Sequence, residues 1–354
     1  MQITETVPPD ELFRDYAYFS SFSDTMVNHA RHIAERLVDE RELNGDSLVV
    51  EVASNDGYLL QWYHKKGVPV LGIEPARNIA EVARRDRGVD TISEFFGVDI
   101  AESLADEGRT ADIIHANNVL AHVADLNGVV AGFAQLLKNE GRVIVEAPYL
   151  QDLLQQVEFD TIYHEHLCYF SLTALSALFE RHGLQIVDVE RLAIHGGSLR
   201  IHAAHKGKAN VSAAVKELLA EEAAWVNDET CYQNFSDQVI ALGRSLTSFL
   251  QQLKNDGRRI AVYGASAKGS TLLNFFGIDD SLIDYVVDRS TVKQGHYTPG
   301  THLKIFDPEK LVQDQPDYCL LLTWNFADEI LKQQQDYRDA GGQFIIPVPE
   351  VRVA

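Results

Sequence analysis

The run SLVVEVA at residues 47–53 leads into Glu51-Val52-Ala53-Ser54-Asn55-Asp56-Gly57, and VPVLGIEP at 68–75 ends in Gly72-Ile73-Glu74-Pro75, with Glu74 23 residues after Glu51. Both are β-rich runs of strand length bounded by turn-forming residues. NIAEVARR at 78–85 reads as a helix, DIIHANNV at 112–119 as a third strand and GRVIVEAPY at 141–149 as a fourth. Strands alternating with helices predict a doubly wound α/β sheet. Such sheets bind ligands at the carboxyl ends of their strands. The turn 53–57 and Glu74 are therefore the first places to look for a ligand.

Working outward, residues 1–45 read as a lead-in and a helix, with Met26, Ile33, Leu37 and Val38 at helical spacing. The α/β domain is expected over 46–206. Residues 207–257 break the alternation. Val215, Leu218, Leu219, Trp225 and Val226 mark one helix of a connector, and Phe235, Val239, Leu242, Leu246 and Phe249 a second. From 258 to 354 the alternation resumes in RIAVYGASAKGST, IDYVVDRS, DYCLLLTWN and QFIIPVPE, which predict a second, smaller Rossmann-like α/β domain. At 354 residues the chain exceeds what one core usually serves.

The balance of 31 Lys and Arg against 52 Asp and Glu gives a net charge of −21. Such a field repels nucleic acid and anionic membrane. A phosphate-bearing ligand needs local devices such as a helix N-terminus or single cations. No apolar run is long enough to span a bilayer. The opening MQITETVPPDELF lacks the features of a secretory leader. Cys168, Cys231 and Cys319 lie far apart with no metal spacing, so a reducing cytoplasm is expected and a metal is not.

The first site favours an adenosyl group, because an acid at the end of the second strand can accept both ribose hydroxyls. A dinucleotide needs a glycine-rich turn to seat its pyrophosphate, and this turn retains only Gly57, beside Asp56. S-adenosylmethionine carries a sulfonium and an amine and no phosphate, which suits Glu51 and Asp56.

The strings EVASNDGYLL, GIEPARNIAEVA and ANNVLAHVADLNGVV resemble the motif series of class I methyltransferases. Tyr163-His164-Glu165-His166, then Tyr169-Phe170-Ser171, and His195-Gly196-Gly197-Ser198-Leu199-Arg200 are similar to the sugar C-methyltransferase family. The similarity runs from about Leu12 to the C-terminus. It implies methylation of a carbon of a nucleotide-linked keto-deoxysugar. It also implies that Glu51, Ala53, Asn55, Gly57, Glu74, Asn117, Tyr16 and Tyr18 surround the methyl donor. Members of that family usually carry an N-terminal four-cysteine zinc module. This chain has no cysteine before Cys168, so zinc binding is not carried over.

Methylating carbon near neutral pH needs a base to remove a proton alpha to a ketone and a donor to the enolate oxygen. The resemblance puts His166 in the role of base, with an unperturbed pKa of about 6.5. Glu165 is a candidate to orient a ring or hold a sugar hydroxyl, and Tyr163 to donate to the oxyanion. On a strand, Tyr163 would share a face with Glu165, and His164 with His166. Two alternatives stay open: a histidine-rich structural loop, and a metal held by His164, His166 and either His122 or His195. Asn118 and His122, at i and i+4, share a face if the chain is helical there, and the resemblance makes them active-site candidates, with a turn asparagine and a partly buried histidine as the other reading. In YAYFSSFS, Tyr16 and Tyr18 stand among Ser20, Ser21 and Ser23, where packing is the other reading.

His195 and Arg200 are candidate contacts for sugar and phosphate, with a plain turn before a strand as the alternative. Gly264-Ala265-Ser266-Ala267-Lys268-Gly269 is expected to open a helix and meet a nucleotide diphosphate through Ser266 and Lys268, with Asp288 ending the next strand. A degenerate domain that only completes a cleft is the other reading. The function classes are thus a sugar C-methyltransferase, an NAD(P)-dependent nucleotide-sugar oxidoreductase, and a non-catalytic nucleotide-sugar binding protein. The sequence does not name the sugar, the base or the oligomeric state.

Overall fold

The computed structural model describes residues 7–16 and 19–354; the side chain of His195 is outside that description. The chain divides into two compact units. The first comprises Met1–Tyr149, Leu167–Leu192 and Ser198–Ala224, and the second Leu150–His166, Ala193–Gly197 and Trp225–Ala354.

The first unit holds a seven-stranded sheet. Its strands are β1 (Val49–Val52), β2 (Val70–Ile73), β3 (Thr91–Ile92), β4 (Ala111–Asn117), β5 (Leu137–Pro148), β6 (Leu184–Leu192) and β7 (Ser198–His205), in the order β3-β2-β1-β4-β5-β7-β6. β1 to β5 pair in parallel, while β7 runs antiparallel to both β5 and β6. The parallel centre is covered on both faces. Hence Val49, Val50, Ile113, Ile114, Val143 and Ile144 are consecutive apolar residues with no exposure. This strand order is that of class I methyltransferases, as expected.

The second unit holds β8 (Ile260–Tyr263), β9 (Tyr285–Val287), β10 (Ile305–Phe306), β11 (Tyr318–Leu321), β12 (Gln343–Ile346) and β13 (Arg352–Val353), in the order β10-β9-β8-β11-β12-β13. The two-residue period divides its core. Ile260 and Val262 face the helix Glu229–Asn255 through Val239, Leu242, Leu246 and Leu250. Ala261 and Tyr263 face Leu311, Tyr337 and Phe344.

Some local readings change. The first helix of the connector is Ala213–Glu222, so Trp225 and Val226 lie beyond its end. It belongs to the first unit, and the helix Glu229–Asn255 to the second. Residues Leu150–His166 fall within the range read as the first domain but group with the second unit. The reason is apolar: Val157 and Phe159 join the core of Leu246, Ile260 and Leu272. The Phe159 ring lies 4.6 Å from that of Phe276.

Candidate active site

The turn after β1 is conformationally unusual. Ala53 and Asn55 have φ of 51° and 49°, and Gly57 has 76°. Left-handed backbone at non-glycine residues persists only where its surroundings hold it, and it concentrates at functional sites. The hold is visible. Glu74, at the end of β2, accepts the Asn55 N–H at 2.9 Å and the Ala76 N–H at 2.8 Å. The Asn55 side-chain oxygen accepts the Ser20 N–H at 2.9 Å, and Ser21 donates to Asp56 at 2.5 Å. Ser20 and Ser21 thus brace the turn, while Ser23 caps the helix Asp24–Glu40.

Glu51 on β1 is buried, and one of its carboxylate oxygens has no partner. Burial, then the charges of Asp56, Glu74 and Glu146, push its pKa well above the ordinary range. Burial also raises Glu74, opposed by the Ala76 and Asn55 N–H groups. Asp56 does not add a bare charge, because Arg87 lies 3.2 Å away. Of the two acids that suited a cationic ligand, Asp56 is thus paired, and Glu51 remains with an unfilled oxygen.

Asn117, at the end of β4, is buried with its carbonyl oxygen unpartnered. Together with Glu51 it offers unfilled acceptors at neighbouring strands where the sheet order reverses, the usual ligand position. Hydroxyl and ammonium donors fit such acceptors.

The helical spacing of Asn118 and His122 does not hold. Asn118 has φ of 58°, its N–H bonds Glu146 O at 2.7 Å, and His122 ends a separate 3₁₀ turn, Leu120–His122. The His122 ring instead meets Phe13 edge-on at 6.0 Å, and Phe13 also meets Tyr16 at 5.5 Å. Tyr16 is joined to Asn78 by two hydrogen bonds, at 3.2 and 2.8 Å. Tyr18 lies outside the described residues.

In the second unit, the YHEH string is a turn, closed by His166 N–H to Tyr163 O at 2.9 Å. The alternation expected of a strand does not apply: residues i and i+3 meet, so Tyr163 pairs with His166. Their ring centroids lie 4.3 Å apart at a tilt of 35°, and Tyr163 Oη lies 3.1 Å from His166 Nε2. His166 Nδ1 lies 2.8 Å from Thr161 O, which only an N–H can satisfy, so Nε2 is the acceptor nitrogen. Burial lowers the His166 pKa to about 4, aided by Lys268 and opposed by the Thr161 hydrogen bond. The ring is neutral at pH 7. Glu165 is partly buried and His164 exposed. Among the described residues no group of three or more His, Cys, Asp or Glu could hold a metal ion.

Three expected phosphate contacts are otherwise engaged. Arg200 on β7 is buried and bonds Glu146 at 2.7 Å, Glu190 at 3.3 Å and His29 at 3.1 Å. Ser266 caps the helix Ala267–Phe276 by accepting the Gly269 N–H at 3.0 Å. Lys268 donates to Asn325 at 2.6 Å and lies 4.4 Å from the Trp324 ring centroid. Asp288 accepts the Ala265 N–H at 2.7 Å, as Glu74 does for Asn55. The His195 side chain lies outside the description, but Gly196 follows it closely packed: a Cβ there would collide with the Glu158 carboxylate.

Sequence reasoning missed Glu158, Asp160, Trp324 and Asn325. The last two follow β11 at the carboxyl edge of its sheet, so the strand-end rule applied there too would have flagged them.

The strand order and the acid-bearing turn define a class I methyltransferase. Residues 26–189 match the family model described as a methyltransferase domain, and 193–349 match the C-methyltransferase C-terminal domain. The chain is 38 % identical over its full length to C-methyltransferase NovU of Streptomyces niveus, covering 84 % of that protein. It therefore belongs to the S-adenosylmethionine-dependent C-methyltransferases. A ubiquinone biosynthesis O-methyltransferase of Bartonella quintana is 33 % identical over 27 % of this chain and 39 % of its own. Among solved structures, the PH0226 protein of Pyrococcus horikoshii aligns with a TM-score of 0.44 and 17 % identity, over 54 % of this chain and 95 % of that one. A magnesium protoporphyrin IX methyltransferase of Synechocystis with bound SAH aligns at 0.42 and 16 %, over 51 % and 83 %. Of the three function classes, the family membership selects the methyltransferase.

Proposed function

We propose that the chain methylates the carbon next to the ketone of a nucleotide-linked keto-deoxysugar. The observation that carries this reading is the Tyr163–His166 pair. A carbon becomes nucleophilic only after losing a proton, and a neutral imidazole with an acceptor Nε2 is the group that removal requires.

S-adenosylmethionine supplies an electrophilic methyl group on its sulfonium. Glu74 accepts its ribose hydroxyls. Glu51 and Asn117 offer their unfilled oxygens, and the turn of Ala53, Asn55 and Gly57 lets the backbone approach. Tyr16 and Tyr18 complete that set, with Asn118 and His122 as polar candidates beside it. With the sugar bound, the single Tyr163 O–H turns from Nε2 to the enolate oxygen, and the freed His166 Nε2 takes the acidic sugar proton. Glu165 holds a sugar hydroxyl, and His195 contacts the sugar nucleotide. A reducing cytoplasm suits the three unpaired cysteines.

The test is a screen of 4-keto nucleotide sugars with isotopically labelled methyl donor. Label appearing on a sugar carbon supports the reading. Label on a hydroxyl oxygen, or on no member of the panel, overturns it.

A further inference from the structure

Between the helix Leu150–Gln155 and the YHEH turn, the chain runs through Val157, Glu158, Phe159, Asp160 and Thr161. Val157 has φ of 55°, a conformation in which a β-branched residue is strained. Burial of Val157 and Phe159 in the second core keeps it there. The 3₁₀ turn Phe159–Thr161 then brings two buried carboxylates together with one cation, Lys268. Trp324 Nε1 donates to Asp160 at 2.8 Å, and Lys268 reaches Asn325 while lying over the Trp324 ring.

Thr161, the next residue after Asp160, supplies the carbonyl that binds His166 Nδ1–H. We propose that Asp160, Trp324 and Lys268 are positioning residues for the His166–Tyr163 pair. They fix the turn whose carbonyl sets the His166 tautomer, and Lys268 adds a fixed cation that acts on the ring. This inference rests on the proposed base, and it gives Lys268 a role other than binding phosphate.

The surroundings fit. Burial lowers the Lys268 pKa, and Asp160 and Glu158 oppose that by favouring the ammonium. Burial raises Glu158 to about 8 and also raises Asp160, while Lys268 pulls both down and Asp152 adds to the rise of Glu158. Among the groups acting on His166 are Tyr163, the Thr161 carbonyl and the Lys268 charge. Burial does most to keep Nε2 an acceptor through the neutral range, and the Lys268 charge acts in the same direction.

The decisive measurement needs no substrate. His166 ring resonances in labelled protein, identified among the 13 histidines by their absence in His166→Asn, are titrated in wild type and Lys268→Met. The ring is expected to titrate near 4 in wild type and measurably higher without the cation. The acid limb of kcat/KM moves with it, and Lys268→Arg restores both. Asp160→Asn and Trp324→Phe are expected to lower kcat by about ten- to a hundredfold through misplacement of the base. Affinity for S-adenosylmethionine stays unchanged in each and reports that the variant is folded. Unmoved ring titration in Lys268→Met, or normal kcat in both Asp160→Asn and Trp324→Phe, overturns the positioning role alone when His166→Asn is inactive. Normal turnover by His166→Asn removes the base itself, and this inference with it.

Discussion

Tyr163 Oη lies 3.1 Å from His166 Nε2, two groups brought together by one four-residue turn. The pair has a built-in direction. Thr161 takes the Nδ1 proton, so the phenol is the donor toward Nε2.

For the base itself, His166→Asn should lose methylation by about 10²–10⁴-fold. With S-adenosylhomocysteine bound and heavy water as solvent, wild type should exchange the acidic sugar proton for deuterium, and the variant should not. Tyr163→Phe should slow both reactions by roughly a hundredfold, the low end for one oxyanion donor. Near-normal turnover by His166→Asn sinks the mechanism.

Glu74→Ala should weaken S-adenosylmethionine binding by about 1.5–3 kcal/mol, since it removes a buried acceptor and releases the Asn55 and Ala76 N–H groups. Calorimetry decides. Unchanged affinity would mean the ribose is held elsewhere.

Arg200→Met should act on stability and not on substrate binding. Glu146 is buried, and burial alone would raise its pKa; His29 and Arg200 outweigh that and hold it low. Removing the Arg200 partner leaves a buried charge uncompensated, at about 3–5 kcal/mol. Urea unfolding measures this. A variant of wild-type stability with a raised KM for the nucleotide sugar would restore the phosphate role.

Glu158 gives a pH signature of defined sign. Its folded pKa of about 8 exceeds the ordinary 4.5, so between those values the folded state binds more protons than the unfolded state. Through this group stability falls as pH rises from 4.5 to 8. Glu158→Gln removes that loss. Its thermal midpoint relative to wild type should therefore be higher at pH 8 than at pH 5. An equal difference at both pH values would show that Glu158 ionises normally in the fold.

The comparison of sequence and structure divides by range. The strand-end acids were legible because β1 and β2 are short apolar runs and their termini adjoin in a parallel sheet. Asn118 and His122 were misread because a left-handed residue interrupts the helix that their spacing assumes. Arg200 reads as a free cation until β5 and β6 bring Glu146 and Glu190 beside it.

The sequence by itself determined the layered α/β architecture, the acidic turn after the first strand and the YHEH string. Each is written in local periodicity or in contiguous residues. Only the tertiary structure decided that Leu150–His166 belongs with the second unit, that Tyr163 meets His166, and that the charges of Asp160 and Glu158 act on Lys268. Those relationships depend on where apolar residues such as Val157 and Phe159 find burial, and burial is settled by residues more than seventy positions away in the chain.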